Sequence, residues 1–186
     1  ERPFEAVAGR GQWLFDESGR RYLDMVNNVA VVGHSHPRIA RAVARQLECV
    51  NTNSRFLYGV MGEYAEAIAE KLPEGLGSLF FVNSGSEAVD LALQLARVYT
   101  RRNDFVGIEA SYHGWTSEVF ELCTMPLDRP DWRQTLKPYV HVMEVPYTCG
   151  GPEVDFAAPL ERALGDAARS GGLAAFISEP MLASQG

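Results

Sequence analysis

The stretch Leu79-Phe80-Phe81-Val82-Asn83-Ser84-Gly85-Ser86-Glu87-Ala88 decides the fold prediction. Its continuous apolar run, 79–83, predicts a strand that is buried on both faces. Ser-Gly-Ser then leads into a helix, and the first N–H groups of a helix lie at the positive end of its dipole. Because such groups bind anions, Ser84, Gly85 and Ser86 form a candidate phosphate site. Ser84 and Glu87 also match the S-x-x-E capping box, so helix initiation alone is an alternative explanation.

Strands and helices alternate along the chain after this stretch. Apolar runs predict strands at 105–109, 140–145 and 173–178, and apolar periodicity predicts helices after Ser86 and at 156–169. The helix after Ser86 has one narrow polar stripe, so we expect its remaining surface to pack against a large part of the protein. We interpret the Pro-containing segment 126–138 as a surface loop. The alternation predicts an α/β fold with a mostly parallel sheet flanked by helices.

The region before this stretch predicts a small hairpin and two helices. The hairpin pairs 12–15 with 21–25 through the turn Asp16-Glu17-Ser18-Gly19. Pro37 suits the first position of a helix that carries Ile39, Val43 and Leu47 at helical spacing. A second helix carries Tyr64, Ile68 and Leu72 on one face, and Pro73 ends it.

Composition limits the possible function classes. The net charge of −7 argues against general nucleic-acid binding, which needs clustered positive charge. Arg38, Arg41 and Arg45 share one helical face, which we interpret as a solvated stripe. The three cysteines are far apart and odd in number, which favours free thiols in a reducing compartment and a cytoplasmic location.

Three features of the sequence follow predicted strands and therefore share one edge of the sheet. They are Ser84-Gly85-Ser86, Tyr112-His113 and Glu179-Pro180. The absence of Gly-x-Gly-x-x-Gly and Gly-Lys-Ser/Thr motifs at the phosphate site argues against a dinucleotide fold or a P-loop. A phosphate site, an aromatic face and a carboxylate together predict a planar, phosphorylated ring as the ligand, and pyridoxal 5'-phosphate fits this description.

At this point the chain resembles a known family. Asn83-Ser84-Gly85-Ser86-Glu87-Ala88, Tyr112-His113-Gly114 and Glu179-Pro180 are similar to motifs of the class III (omega) aminotransferases, which are fold-type I pyridoxal phosphate enzymes. Gly19 to Asp24 and Gly33-His34-Ser35-His36-Pro37 resemble the N-terminal part of the same family. The resemblance implies a fold-type I large domain, here incomplete, and amino-group transfer from an amine or amino acid to a keto acid.

The resemblance also implies site roles and a domain division. Ser84, Gly85 and Ser86 would hold the cofactor phosphate, Tyr112 would stack on the pyridine ring with His113 beside it, and Glu179 would lie near the ring and the substrate path. Residues 1–50, with the hairpin and first helix, would belong to the small domain, and residues 51–186 would form the first part of the large domain. Such enzymes are usually homodimers.

Two further segments most resemble the phospho-lyase branch of the family. They are Asn27-Asn28-Val29-Ala30 and the stretch from Asn51 to Tyr58, which contains Arg55. The branch eliminates phosphate from small amino-alcohol phosphates, so Asn28 and Arg55 are candidate substrate-binding residues. An arginine can bind a phosphate in a bidentate manner, but an ion pair at a subunit interface is an equally good explanation for Arg55.

The family's Schiff-base lysine and the aspartate that pairs with the pyridine nitrogen have no counterpart here. Both follow the Glu-Pro segment in the family, so we expect them beyond Gly186. The chain has only two lysines, Lys71 and Lys137, and neither lies at the end of a predicted strand that faces the site. We therefore expect an N-terminal fragment that is inactive by itself.

Two alternatives to an enzyme of this family stay open. One is a non-catalytic module that keeps the fold. The other is a metal hydrolase that uses His34, His36 and His113, although His34-x-His36 lacks a third ligand at helical spacing and His36-Pro37 suits a helix start. We predict no metal site.

Overall fold

The computed structural model describes residues 4–26, 31–53, 55–145 and 155–180. It contains two compact units, residues 1–77 and 78–186. The sequence division at residue 50 therefore differs from the division by contacts, and the domain assignment stays a prediction. No helix among the described residues combines the length and apolar character needed to cross a membrane.

The first unit begins with an antiparallel sheet in the order β1-β2-β3, followed by two helices. The elements are β1 (Ala8–Arg10), β2 (Trp13–Phe15), β3 (Arg21–Leu23), α1 (Pro37–Cys49) and α2 (Gly59–Ala69). The predicted hairpin is confirmed, and β1 adds a third strand that the sequence did not predict. Its turn is held by the Asp16 carboxylate, which accepts hydrogen bonds from the Ser18 N–H, the Ser18 hydroxyl and the Tyr22 hydroxyl.

The structure confirms the predicted start of α1 and corrects the predicted end of α2. Pro37 is at the start of α1 as predicted, and Arg38, Arg41 and Arg45 are exposed, as expected for a solvated stripe. The α2 helix ends at Ala69, earlier than the predicted end at Leu72. The N–H groups of Lys71 and Leu72 donate to the carbonyls of Ile68 and Ala69, which tightens the last turn ahead of Pro73.

The second unit is built on a three-stranded parallel sheet with the order β5-β4-β6. Its elements are α3 (Gly85–Thr100), β4 (Asp104–Ile108), α4 (Ser117–Phe120), α5 (Trp132–Thr135), β5 (Val140–Met143), α6 (Ala157–Ser170) and β6 (Leu173–Ile177). Adjacent residues of β4 face opposite sides of the sheet. Phe105 packs with Leu93 of α3 on one side, and Val106 packs with Ala163 of α6 on the other. The predicted parallel α/β architecture is confirmed.

The predicted strand at 79–83 is absent from the described structure. Phe80 is 66% exposed, and Phe81 and Val82 are also exposed. Both edges of the central strand β4 are already paired, with β5 and β6. No strand among the described residues pairs with 79–83, so this apolar run does not join the sheet.

Two other packing predictions were also wrong. The segment 126–138 is not simply a surface loop, because it contains α5 and buries Trp132 and Arg129. Burial of Arg129 is possible because its guanidinium donates to the carbonyls of Phe120, Glu121 and Thr135. On α3, Leu93 is buried, but Tyr99 is 91% exposed and Val98 is also exposed, so the predicted extensive packing covers only one side of the helix among the described residues.

Candidate functional site

The N-terminus of α3 has the predicted cap. Ser84 is the N-cap residue, and its Oγ accepts a hydrogen bond from the Glu87 N–H at 3.1 Å. The Glu87 carboxylate reaches back to the N–H of Asn83, at 2.6 Å, instead of the N–H of Ser84. Ser84 therefore does initiate the helix, and its hydroxyl proton remains available to donate to a ligand.

The residues after the cap leave hydrogen-bond donors at the surface. Within the described part of the chain, the backbone N–H groups of Gly85 and Ser86 have no acceptor. A Cβ added to Gly85 would meet no atom within 4 Å, so the space beside this residue is open. Exposed donors at the positive end of a helix dipole and an adjacent open space are what an anion requires.

The segment that follows β4 lies directly against this helix end. We call Ser111–Trp115 the β4 loop. The Trp115 N–H donates to the Ser86 Oγ at 3.0 Å. Gly114 has φ +140°, and a Cβ at this position would lie 2.6 Å from the Ser86 Oγ, so only glycine permits such a close approach.

A carboxylate that follows β6 holds the start of the β4 loop. The Tyr112 N–H donates to the Glu179 Oε1 at 2.9 Å. Three segments that are distant in the sequence thus meet at the carboxyl end of the sheet, as predicted. They are the N-terminus of α3, the β4 loop and the residues after β6.

The β4 loop presents an aromatic group beside the N-terminus of α3. The ring centroids of Tyr112 and Trp115 are 6.0 Å apart with a tilted geometry, and Trp115 stacks on Phe120 at 5.4 Å. Burial raises the pKa of the Tyr112 phenol, the nearby Cys123 and Asp128 act in the same direction, and a hydrogen bond with Trp115 opposes them. The phenol is therefore neutral at physiological pH, and its ring is available as an apolar face.

His113, a residue of the same loop, is buried. Its Nε2 is buried and has no hydrogen-bond partner among the described residues. Burial lowers the pKa of His113 below its ordinary value, although the negative charge of Glu179 raises it. The imidazole is neutral at pH 7, and its unpaired ring nitrogen is the kind of buried polar atom that ligand sites contain.

The assignment of Asn28 and Arg55 as substrate-binding residues stays a prediction. Asn28 lies outside the described residues. Arg55 belongs to the first unit, where its backbone N–H donates to the Asn53 Oδ1 at 3.0 Å. Lys137 of the second unit pairs with Glu121 at 3.6 Å.

The sequence reasoning missed three residues of the region. Trp115 was not proposed as a site residue, although it directly follows Tyr112-His113-Gly114 and is exposed in a loop after a strand. Cys123 and Thr124 were missed because they contact the loop only in the folded chain.

The histidines do not gather in the manner of a metal site. Within the ranges that the structure describes, no group of three or more His, Cys, Asp or Glu side chains could hold a metal ion. The His34 Nε2 instead lies 2.6 Å from the Asp24 Oδ2 in the first unit.

Comparison with known proteins identifies the family. The family model for class-III aminotransferases matches residues 2–186. The fold is that of the fold-type I pyridoxal phosphate enzymes, and the chain belongs to the class-III aminotransferase family. This family uses pyridoxal phosphate as its cofactor.

Individual relatives include aminotransferases and phospho-lyases. Alanine--glyoxylate aminotransferase 2-like of Drosophila melanogaster is 43% identical over 96% of this chain and 38% of the relative. Ethanolamine-phosphate phospho-lyase homolog 1 of Caenorhabditis elegans is 40% identical over 77% of this chain and 30% of the relative. A phospholyase from Arthrobacter, solved in complex with phosphoethanolamine, has a TM-score of 0.83 and 37% identity, covering 97% of this chain and 44% of that structure. The chain thus spans less than half of the length of each of these relatives.

Proposed function

We propose that the carboxyl end of the parallel sheet binds pyridoxal phosphate. The observation that carries the proposal is the hydrogen bond from Trp115 to Ser86, because it brings the aromatic β4 loop to the N-terminus of α3. The space beside Gly85 stays open in this arrangement. A phosphate at this helix end would lie next to an aromatic group that suits a flat ring.

The donors present fit the phosphate of the cofactor. The N–H groups of Gly85 and Ser86 lack acceptors among the described residues, and the hydroxyls of Ser84 and Ser86 act as acceptors toward Glu87 and Trp115. Each hydroxyl keeps its own proton for donation, since an O–H group can accept and donate at once. Two N–H groups and two hydroxyls therefore suffice to bind a phosphate monoester.

The remaining site residues fit the ring. Tyr112 would cover one face of the pyridine, and Glu179 fixes the backbone of Tyr112 through its N–H. His113 offers one buried and unpaired ring nitrogen, neutral at pH 7, which can donate or accept depending on its tautomer. When bound, pyridoxal phosphate supplies an electron-accepting ring that weakens bonds at the amine-bearing carbon of a substrate.

Amino-group transfer to a keto acid is the function that the family membership supports best. Transfer of this kind needs a lysine that carries the cofactor and removes the substrate proton, and neither Lys71 nor Lys137 follows one of the described strands of the parallel sheet. By the same argument we expect the 186-residue chain alone to lack turnover. Robust amine-dependent turnover by this chain with added pyridoxal phosphate would contradict that expectation.

Elimination of phosphate from a small phosphorylated amine is the second candidate. Two of the three relatives described above are named phospho-lyases, and one of them was solved with phosphoethanolamine. The side chain of Arg55 forms no ion pair with another described residue, so its guanidinium is available for a phosphate or for a partner subunit. Asn28 is the other proposed substrate residue.

Two assays on the intact protein separate these candidates. One measures inorganic phosphate released from phosphoethanolamine, and the other measures transfer of the amino group to a keto acid. Transfer without phosphate release supports the aminotransferase, and phosphate release supports the phospho-lyase. Cofactor binding without either activity would favour the non-catalytic module. Failure of the protein to bind pyridoxal phosphate would overturn the proposal.

Three broader assignments also remain proposals. We propose a homodimer in the cytoplasm, with residues 1–50 assigned to the small domain and 51–186 to the large domain. The odd number and wide spacing of the three cysteines support a reducing compartment. Other relatives of the chain are named as mitochondrial proteins, so the location requires direct imaging.

A further inference from the structure

The β4 loop is held by two buried residues to which the proposed function assigns no role. Cys123 and Thr124 follow α4, and their exposed fractions are 0% and 1%. Neither side chain reaches the open space beside Gly85, within which a Cβ would meet no atom closer than 4 Å. Both residues contact the loop through hydrogen bonds, so their role must be exerted through it.

Thr124 fixes the first residue of the loop. Its Oγ1 accepts from the Ser111 N–H at 3.2 Å and donates to the Ile108 carbonyl at 3.1 Å. Its backbone N–H also donates to the Ser111 carbonyl at 3.0 Å. These bonds tie the end of β4 and the start of the loop to one residue.

Cys123 fixes the middle of the loop. Its Sγ accepts from the His113 N–H at 3.2 Å and lies 3.3 Å from the Gly114 carbonyl, to which the thiol can donate. Burial raises the pKa of the thiol, so the donor proton is retained at neutral pH. Cys123 thus contacts the backbone of the two residues that lie between Tyr112 and Trp115.

The backbone conformation of this region is energetically unfavourable. Ala110 has φ +56°, which is unfavourable for a residue with a side chain, and Gly114 is pressed against Ser86. A conformation of this kind persists only where the surrounding contacts determine it. The bonds from Cys123 and Thr124 provide such contacts on the buried side of the loop.

We propose that Cys123 and Thr124 are positioning residues that set the affinity of the site for pyridoxal phosphate. We call them the loop anchor. They hold Tyr112 and Trp115 in place, so that the ring-binding face stays next to the phosphate-binding N–H groups of α3. This inference rests on the proposed function, because it assumes that the cofactor binds there.

The test uses the intact protein and variants of the loop anchor. Cys123→Ala and Thr124→Val remove the hydrogen-bonding atoms, whereas Cys123→Ser replaces the thiol with a hydroxyl and Thr124→Ser keeps the hydroxyl. Leu173→Ala is the control, because Leu173 packs in the core beside Asp104, at the opposite end of the sheet. Each protein is titrated with pyridoxal phosphate, and hydrogen exchange is measured at the amides of Tyr112, His113 and Trp115 without the cofactor.

Loss of the anchoring hydrogen bonds should weaken binding and loosen the loop together. We expect Cys123→Ala and Thr124→Val to raise the dissociation constant about tenfold, the equivalent of one or two hydrogen bonds. The loop amides should exchange faster in both variants, and the serine variants should recover most of the affinity. Leu173→Ala should lower stability without changing the dissociation constant.

Three results would contradict the inference or its basis. Wild-type affinity and unchanged exchange in Cys123→Ala and Thr124→Val would overturn the loop anchor, as would an affinity loss no greater than that of Leu173→Ala. If Thr124→Val does not fold, Cys123→Ala alone decides. If the wild-type protein does not bind the cofactor, the proposed function fails instead, and the exchange data still show whether the anchor holds the loop.

Discussion

One buried polar pair near the amino end of the parallel sheet contrasts with unpaired polar groups at its carboxyl end. At the amino end, the buried Asp104 carboxylate pairs with the His141 Nε2 at 2.7 Å. At the carboxyl end, the His113 Nε2 and the N–H groups of Gly85 and Ser86 lack partners among the described residues.

The difference separates residues that stabilise the fold from residues that are available for a ligand. Paired polar groups at one end compensate for their burial. At the carboxyl end, Ala110 has a positive φ and His113 has an unpaired ring nitrogen, and neither feature improves stability. Strain and unpaired polar groups of this kind are typical of functional sites, where they persist because they serve binding.

The largest expected effect comes from breaking the pair at the amino end. His141→Ala leaves the buried Asp104 carboxylate without its partner, so the free energy of unfolding should fall by about 3 kcal/mol. The dissociation constant for pyridoxal phosphate should not change. Denaturant unfolding and cofactor titration measure the two quantities.

Arg169→Ala is the control for this prediction. The Arg169–Asp166 pair is exposed on α6, and its loss should cost less than about 1 kcal/mol. An effect of His141→Ala on cofactor affinity would show that the two ends of the sheet are not independent.

Gly114→Ala should disturb the carboxyl end next. The new Cβ would lie 2.6 Å from the Ser86 Oγ and cannot be accommodated without moving the β4 loop or α3. We expect a loss of about 2 kcal/mol in stability and a weaker affinity for the cofactor. Differential scanning calorimetry and cofactor titration test both changes.

The matched substitution Gly165→Ala lies inside α6. Its Cβ would meet only the flexible end of Arg169, and alanine favours a helix, so stability should be unchanged or should rise by about 0.5–1 kcal/mol. If Gly114→Ala behaves like Gly165→Ala, the close contact between the β4 loop and Ser86 is wrong.

A substitution at the cap can separate helix stability from anion binding. Ser84→Ala removes the acceptor for the Glu87 N–H and should cost about 1 kcal/mol. Ser84→Asp keeps an acceptor and interacts favourably with the helix dipole, so stability should be retained. Its negative charge should nevertheless repel the cofactor phosphate.

Thermal unfolding and cofactor titration of the two variants decide the point. The account requires that Ser84→Asp keeps stability and loses affinity. Retention of both properties would mean that this helix end serves only to initiate the helix.

The smallest expected effect is a dependence of stability on pH. Burial lowers the pKa of His113 below the ordinary value of 6.5, so the unfolded chain binds this proton more readily than the folded chain does. The free energy of unfolding should therefore decrease as the pH falls below about 6.5 and should level off below the pKa of the folded state. His113→Gln should reduce this dependence, and an identical pH profile for the variant would contradict the buried, neutral imidazole.

Local signals in the sequence predicted the elements that position the site. The helix start at Ser84 and the strand ends before Tyr112 and Glu179 follow from capping and apolar patterns, which act over a few residues. The rule that the carboxyl ends of parallel strands share one edge predicted the meeting of the segments after β4 and β6. The helix start at Ser84 lies there as well, although the strand predicted before it is absent among the described residues. The class-III family membership expected from the motifs is confirmed.

The remaining differences depend on contacts between distant residues. The run 79–83 has the composition of a strand, but a strand forms only where another strand supplies hydrogen bonds. Arg129 can be buried because its guanidinium donates to the carbonyl groups of Phe120, Glu121 and Thr135. No local sequence pattern predicts this burial. The loop anchor was missed for the same reason.

The central claim is that the open space beside Gly85 is where the cofactor phosphate binds. The most direct test is the titration of wild-type protein and Gly85→Ala with pyridoxal phosphate, together with the stability of each protein. The added methyl group meets no protein atom within 4 Å, so the fold should be unaffected. We expect stability that is unchanged or slightly higher, because alanine favours a helix, together with a clear loss of cofactor affinity. Equal affinity in the two proteins would contradict the central claim.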